Sequence, residues 1–132
     1  MRITTYCSRV GRQGIEMSTL ADEKIVLSKK GDSAISQDDA DVLITTIKDW
    51  SIVTEGCDKL MKCYKLSDYL TAVELTRKIA AIAEQVNHHP VIVLEWGKVT
   101  VTWWTHVIGG LHKNDFIMAA KCERAAMLVT AP

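Results

Sequence analysis

The sequence predicts an α+β domain: a four-stranded antiparallel sheet with three helices packed on one face, in the order α-β-β-α-β-β-α. Three observations carry this. Three stretches repeat apolar residues at helical spacing, and between them lie two pairs of short stretches of strand composition, each pair split by a glycine-containing turn. Turns that short pair their strands antiparallel. Three amphipathic helices need a surface to cover, and one face of a single sheet provides it.

Residues 1–34 read as an N-terminal extension, 35–127 as the folded domain and 128–132 as a short C-terminal tail. In the extension, Ile25-Val26-Leu27 is a short strand or an anchoring segment, and Lys29-Lys30-Gly31-Asp32-Ser33 a linker. Ser36 opens the first helix, with Asp38 and Asp39 suiting the helix dipole. Ala40, Leu43, Ile44 and Ile47 give its apolar stripe, and it ends before Asp49-Trp50. Trp50–Thr54 and Lys59–Leu66 are the first hairpin, turning at Glu55-Gly56-Cys57-Asp58. Ser67 caps the second helix, Asp68 to about Asn87, whose face is Leu70, Val73, Ile79, Ala80, Ala83 and Val86. Val91–Trp96 and Val99–Thr105 form the second hairpin around Gly97-Lys98. Val99, Val101 and Trp103 share the expected core face; Thr100, Thr102, Trp104 and His106 share the other. A third helix runs from about Lys113 to Ala126, with Phe116, Ala119, Ala120 and Met127 available for packing.

Composition narrows the function classes. The chain has 132 residues, 48% apolar and 24% charged, a size that buries roughly two-thirds of its unfolded surface. Sixteen basic and sixteen acidic residues cancel, so no global field draws in nucleic acid or an anionic membrane. No apolar run approaches the ~18 residues of a membrane-spanning helix. Neither a direct nucleic-acid partner nor a membrane is expected. Cys7, Cys57, Cys63 and Cys122 lack metal-ligand spacing and read as free thiols. A cytoplasmic location is expected, with an organelle-targeted chain as the alternative because Arg2, Arg9 and Arg12 precede the first acid, Glu16.

All four histidines fall between His88 and His112, which concentrates acid–base capacity in one short region. His88 and His89 sit where Pro90 turns the chain away from helical angles, at a helix-to-strand junction. A His-His pair at a helix end also simply suits the macrodipole. No Gly-rich phosphate loop, GxSxG elbow or nearby cysteine offers a different chemistry. What remains is His88, His89 and His106, with Glu84 and Asp115 as carboxylate orienters. One imidazolium can give a proton to a leaving hydroxyl while a neutral imidazole takes one elsewhere. Three histidines could equally bind a divalent metal, which would require an irregular junction to make His88 and His89 converge.

Ala83-Glu84-Gln85-Val86-Asn87-His88-His89-Pro90, then Trp96, Val99, Val101, Thr105-His106, Gly110-Leu111 and Asp115, resembles the pterin-4a-carbinolamine dehydratase family. The resemblance spans about residues 36–126 and includes the sixteen residues between His89 and His106 and the eight between His106 and Asp115. It implies dehydration of 4a-hydroxytetrahydrobiopterin, or a related 4a-hydroxytetrahydropterin, to the quinonoid dihydropterin, without a cofactor. It further implies that His88, His89 and His106 are the acid–base or binding groups and that Glu84, Trp50 and Asp115 bind or support the substrate. The implied partners are the pterin, further copies of the chain in a homo-dimer or homo-tetramer, and an aromatic amino acid hydroxylase or a transcription factor. The alternative it leaves is a protein-binding dimerisation cofactor of the same fold. Trp96 stands where a tyrosine is usual, Trp104 where a small polar residue is usual, and His112 where a Ser or Thr cap is expected. His112 is the poorer cap and is read as solvent-facing.

Overall fold

The computed structural model describes residues 20–130. Its elements are α1 (Gln37–Ile44), β1 (Ser51–Glu55), β2 (Cys57–Lys65), α2 (Tyr69–Val86), β3 (Val91–Glu95), β4 (Lys98–Trp103), a 3-10 turn at His106–Ile108, and α3 (Lys113–Thr130). All strands join one antiparallel sheet in the order β1-β2-β4-β3. The α+β architecture matches the expectation.

The register follows from alternation. Leu60 faces Trp103 and Tyr64 faces Val99 across β2 and β4, while Ile92 faces Val101 across β3 and β4. With side chains alternating along each strand, this places Leu60, Tyr64, Val99, Val101 and Trp103 on the helix-covered face, where all five are buried. The first hairpin turn is tighter than the sequence suggests, while the second keeps its expected two residues but shifts by one, to Trp96-Gly97. Glu55 still pairs with Cys57, leaving Gly56 alone at φ +80°. At Gly97 (φ +68°) an added Cβ would lie 3.2 Å from the Leu66 carbonyl oxygen, so both the left-handed backbone and the close approach favour glycine.

Helix ends show where local hydrogen bonding decides. Ser36 caps α1 as expected, its Oγ accepting from the Asp39 N–H. Thr45 and Thr46 hydroxyls then donate to the Val42 and Leu43 carbonyls, ending the helix before Ile47, which packs into the core from beyond it. For α2 the cap is Asp68, one residue later than expected, because its carboxylate accepts the Thr71 N–H at 2.8 Å. Hydrogen bonding from the Thr71 hydroxyl, and then from its backbone N–H, lowers the Asp68 pKa.

Helix α3 is buried continuously from Asn114 to Ala120, which requires cover on more than the sheet side. The N-terminal segment supplies some of it. Residues 1–19 of the expected extension lie outside the described residues, but Leu20 and Ala21, read from the sequence as outside the core, are 4% and 1% exposed. Lys121 Nζ donates to the Ala21 carbonyl, and Asn114 Nδ2 to the Val26 carbonyl, each at 2.7 Å. Contacts a hundred residues apart leave no periodic trace in sequence. At its other end α3 continues past Ala126 to Thr130, whose hydroxyl donates to the Ala126 carbonyl, and Met127 is exposed rather than packed.

Candidate active site

The site begins with the way α2 ends. Asn87 adopts the left-handed conformation (φ 54°), and its N–H bonds to the Ala83 and Glu84 carbonyls. Asparagine is the usual substitute for glycine in this capping position. The reversal separates the histidine pair: His88 turns inward and is buried, while the His89 side chain remains 54% exposed.

Asp115, in the first turn of α3 and 0% exposed, anchors His88. His88 Nε2 lies 2.7 Å from Asp115 Oδ1. The other carboxylate oxygen accepts from the Thr105 hydroxyl at 2.8 Å and the His112 backbone N–H at 2.9 Å. With donors already filling Oδ2, Oδ1 is left to accept, which assigns a hydrogen to His88 Nε2 and leaves Nδ1 as the acceptor of the neutral ring. Trp103 backs the imidazole at 5.4 Å between ring centroids. Its Nε1 donates to Cys122 Sγ at 3.4 Å. Burial pushes the Cys122 thiol up to about 12, so it stays neutral behind the site.

His106 departs from its expected place at the end of a strand. Strand β4 stops at Trp103, Thr105 pairs with Gly110 as an isolated bridge, and His106 opens the 3-10 turn between them. The ring stacks on Trp104 at 4.5 Å and 27°, while Lys59 Nζ lies 4.2 Å from the Trp104 centroid. One indole thus holds His106 by π contact and Lys59 by cation–π attraction. Trp104→Leu should therefore move the His106 ring-proton NMR signals downfield by removing the indole ring current; unchanged signals would show the stack is not populated in solution.

His88, His89 and His106 line one cavity of about 340 Å³, together with Leu27, Ser28, Asn87, Thr105, Val107 and Asn114. Of the other expected site residues, Glu84 touches the group at its rim: Oε1 is 2.8 Å from His89 Nε2, with the Glu84 side chain 81% exposed. Asp115 has no surface on the cavity and acts through His88 and Thr105. Trp50 is not brought to the cavity. It is buried, and Nε1 donates to Glu123 Oε2 at 3.1 Å. The same oxygen accepts from Lys62 Nζ at 2.7 Å and from the Tyr64 hydroxyl. Burial, with Cys122 and Glu123 nearby, raises the Tyr64 pKa far above its ordinary value, so the phenol is the donor.

His112 is half-buried rather than solvent-facing, and it caps α3 in its own way: Nδ1 accepts the Asn114 N–H at 3.1 Å. Among the described residues no three His, Cys, Asp or Glu side chains converge as metal ligands, and no helix is long and apolar enough to cross a membrane. A groove of about 400 Å³ between α2 and α3 is larger than the histidine cavity, but the titratable groups lining it are cations, Arg77, Lys78, Lys121 and Arg124, with no acid–base pair.

The profile of the family described as Pterin 4 alpha carbinolamine dehydratase matches residues 33–125. The chain belongs to that family. A Microcystis aeruginosa protein named provisionally as a pterin-4-alpha-carbinolamine dehydratase is 43% identical over 108 residues, covering 81% of this chain and 93% of its own. A Vibrio vulnificus protein with the same provisional name is 51% identical over 83 residues, covering 62% of this chain and 76% of its own. Among solved structures, a transcriptional coactivator/pterin dehydratase from Brucella melitensis superposes with a TM-score of 0.67 at 26% identity, over 71% of this chain and 99% of its own. A pterin dehydratase-like RuBisCO assembly factor of the alpha-carboxysome shares the fold, at TM-score 0.51 and 19% identity, over 58% of this chain and 88% of its own. The family match takes in all four histidines and Asp115 but begins after Leu27 and Ser28.

Proposed function

We propose that the protein is a 4a-hydroxytetrahydropterin dehydratase, a hydro-lyase acting on 4a-hydroxytetrahydrobiopterin or a close relative in tetrahydrobiopterin recycling. In the reaction the C4a–O bond breaks, N5 gives up its proton, and a C4a=N5 double bond forms with release of water. One group must protonate the departing hydroxyl and another must accept the N5 proton. The observation that carries the reading is the convergence of His88, His89 and His106 on one cavity, with a buried carboxylate behind His88. The volume suits a bicyclic ligand.

The geometry supports different roles for the three rings. His88 is the proton acceptor in this reading: Asp115 fixes its tautomer and stabilises the imidazolium that forms, as the aspartate of a catalytic triad does for its histidine. His89 and His106 are exposed, so either can exchange protons with water and supply the hydroxyl. The same reading places the activity in the domain of residues 35–127, with the pterin as small-molecule partner.

A homo-oligomer belongs to this proposal. Strand β3 is a sheet edge, with Val91 and Val93 46% and 47% exposed, and edges of that character are ordinarily covered. The dehydration rate of enzymatically generated 4a-carbinolamine tests the activity. The expected result is a wild-type rate well above buffer that is unchanged by a chelator. Folded protein no faster than buffer would overturn the reading and leave a protein-binding role for the fold.

A further inference from the structure

The histidine cavity has two aliphatic residues in its lining, Val107 and Leu27. Its other walls are the three histidines, Asn87, Thr105, Asn114 and Ser28. A flat heterocycle bound there needs an apolar surface for its ring as well as polar groups for its edge, and one of the two aliphatic residues, Leu27, comes from a segment that precedes the family match.

That segment is fastened to α3 along its length. Lys121 donates to the Ala21 carbonyl, Arg124 Nη1 lies 2.9 Å from Asp22 Oδ1, and Lys113 Nζ lies 2.8 Å from Glu23 Oε1. The last tie is Asn114 Nδ2 to the Val26 carbonyl. Asn114 is 3% exposed, lines the cavity itself, and immediately precedes the Asp115 that holds His88. Leu27, which follows the tie, is 51% exposed. Ser28 comes next; its hydroxyl is buried and has no hydrogen-bond partner, the one such side-chain atom among the described residues. A buried hydroxyl in that condition has bonding capacity in reserve.

We propose that Leu27–Ser28 is a substrate-binding strap: Leu27 packs against the pterin ring, and the Ser28 side chain, which lines the cavity with its hydroxyl enclosed, rotates to pair that hydroxyl with a ring heteroatom once ligand is seated. Ligand identity rests on the dehydratase reading; the strap adds specificity-determining residues that the family match does not contain.

Full-length Leu27→Ala, Ser28→Ala and Val26→Ala separate the possibilities. Val26 has an exposed side chain outside the cavity lining and serves as control. Leu27→Ala should raise KM for the 4a-carbinolamine roughly five- to tenfold with kcat within about twofold, and Ser28→Ala should act in the same direction. Val26→Ala should change neither. Unchanged KM in Leu27→Ala, with only a lower melting temperature, would reduce the strap to a structural brace and overturn the proposal. An effect in Leu27→Ala alone would remove the hydroxyl contact. A fluorescence titration with 7,8-dihydropterin keeps the two readings apart. Wild-type binding without turnover would overturn the dehydratase reading while the Kd ratios still test the strap. Wild-type protein that neither binds nor turns over would overturn both.

Discussion

Asp115→Ala should cost roughly 3–5 kcal/mol of folding stability and lower the melting temperature by roughly 10–25 °C, read by circular dichroism. The reason is the number of donors left behind. His88 Nε2, the Thr105 hydroxyl and the His112 N–H all end on this one carboxylate, and it has no exposed surface through which water could replace it. These donors come from the end of α2, the loop after β4 and the start of α3, so one side chain joins three elements. Asp115→Asn is the informative companion. An amide can accept on one atom but donates on the other, so it cannot satisfy all three donors. It should fold better than the alanine variant yet lose activity by at least roughly tenfold, because the His88 tautomer is no longer fixed. A stability loss under about 1 kcal/mol for Asp115→Ala would show that these hydrogen bonds do not hold the junction together.

The second large effect concerns the chemistry. His88→Ala should lower kcat/KM by roughly 10²–10⁴-fold, the usual contribution of one positioned acid–base group. Its stability cost should be smaller than that of Asp115→Ala, since Thr105 and His112 still satisfy the carboxylate. Free imidazole offers a further check, because a cavity of about 340 Å³ can admit the missing ring. Partial rescue by imidazole would identify proton transfer as the lost contribution. A variant within about fivefold of wild type, below the range for such a group, would move the proton acceptor to His89 or His106.

The sheet and the helices were legible because each depends on local periodicity. Alternation from Val99 to Trp103 identifies the core face, and the serine-acid start of α1 identifies its cap. The three histidines and Asp115 were legible as a spaced set. The structure adds what spacing cannot express: Asp115 stands behind His88 rather than on the cavity wall. Trp50 illustrates the opposite case. Its place before the first hairpin strand is compatible with either a site edge or a core position, and only its bond to Glu123, seventy-three residues away, decides between them. Leu27, Ser28 and Asn114 were not legible as cavity residues. Their arrangement depends on an amide-to-carbonyl bond eighty-eight residues long in sequence, and nothing in the local composition of either partner announces it. His106 lost its strand position to the Thr105–Gly110 bridge, a pairing the double glycine permits but does not reveal.

The Glu123 cluster carries an implication for how this sequence can change over generations. Replacing Glu123 alone leaves Lys62 as a half-buried ammonium and removes the acceptor from Trp50 and Tyr64. Replacing Lys62 alone leaves an enclosed carboxylate with two neutral donors. Either step leaves a charge without its partner, whereas exchanging the ion pair together for apolar residues of similar volume can be neutral. Positions 50, 62, 64 and 123 should therefore drift jointly, and among descendants of a common ancestor they should appear as a covarying set although only Lys62 and Tyr64 are near one another in the chain.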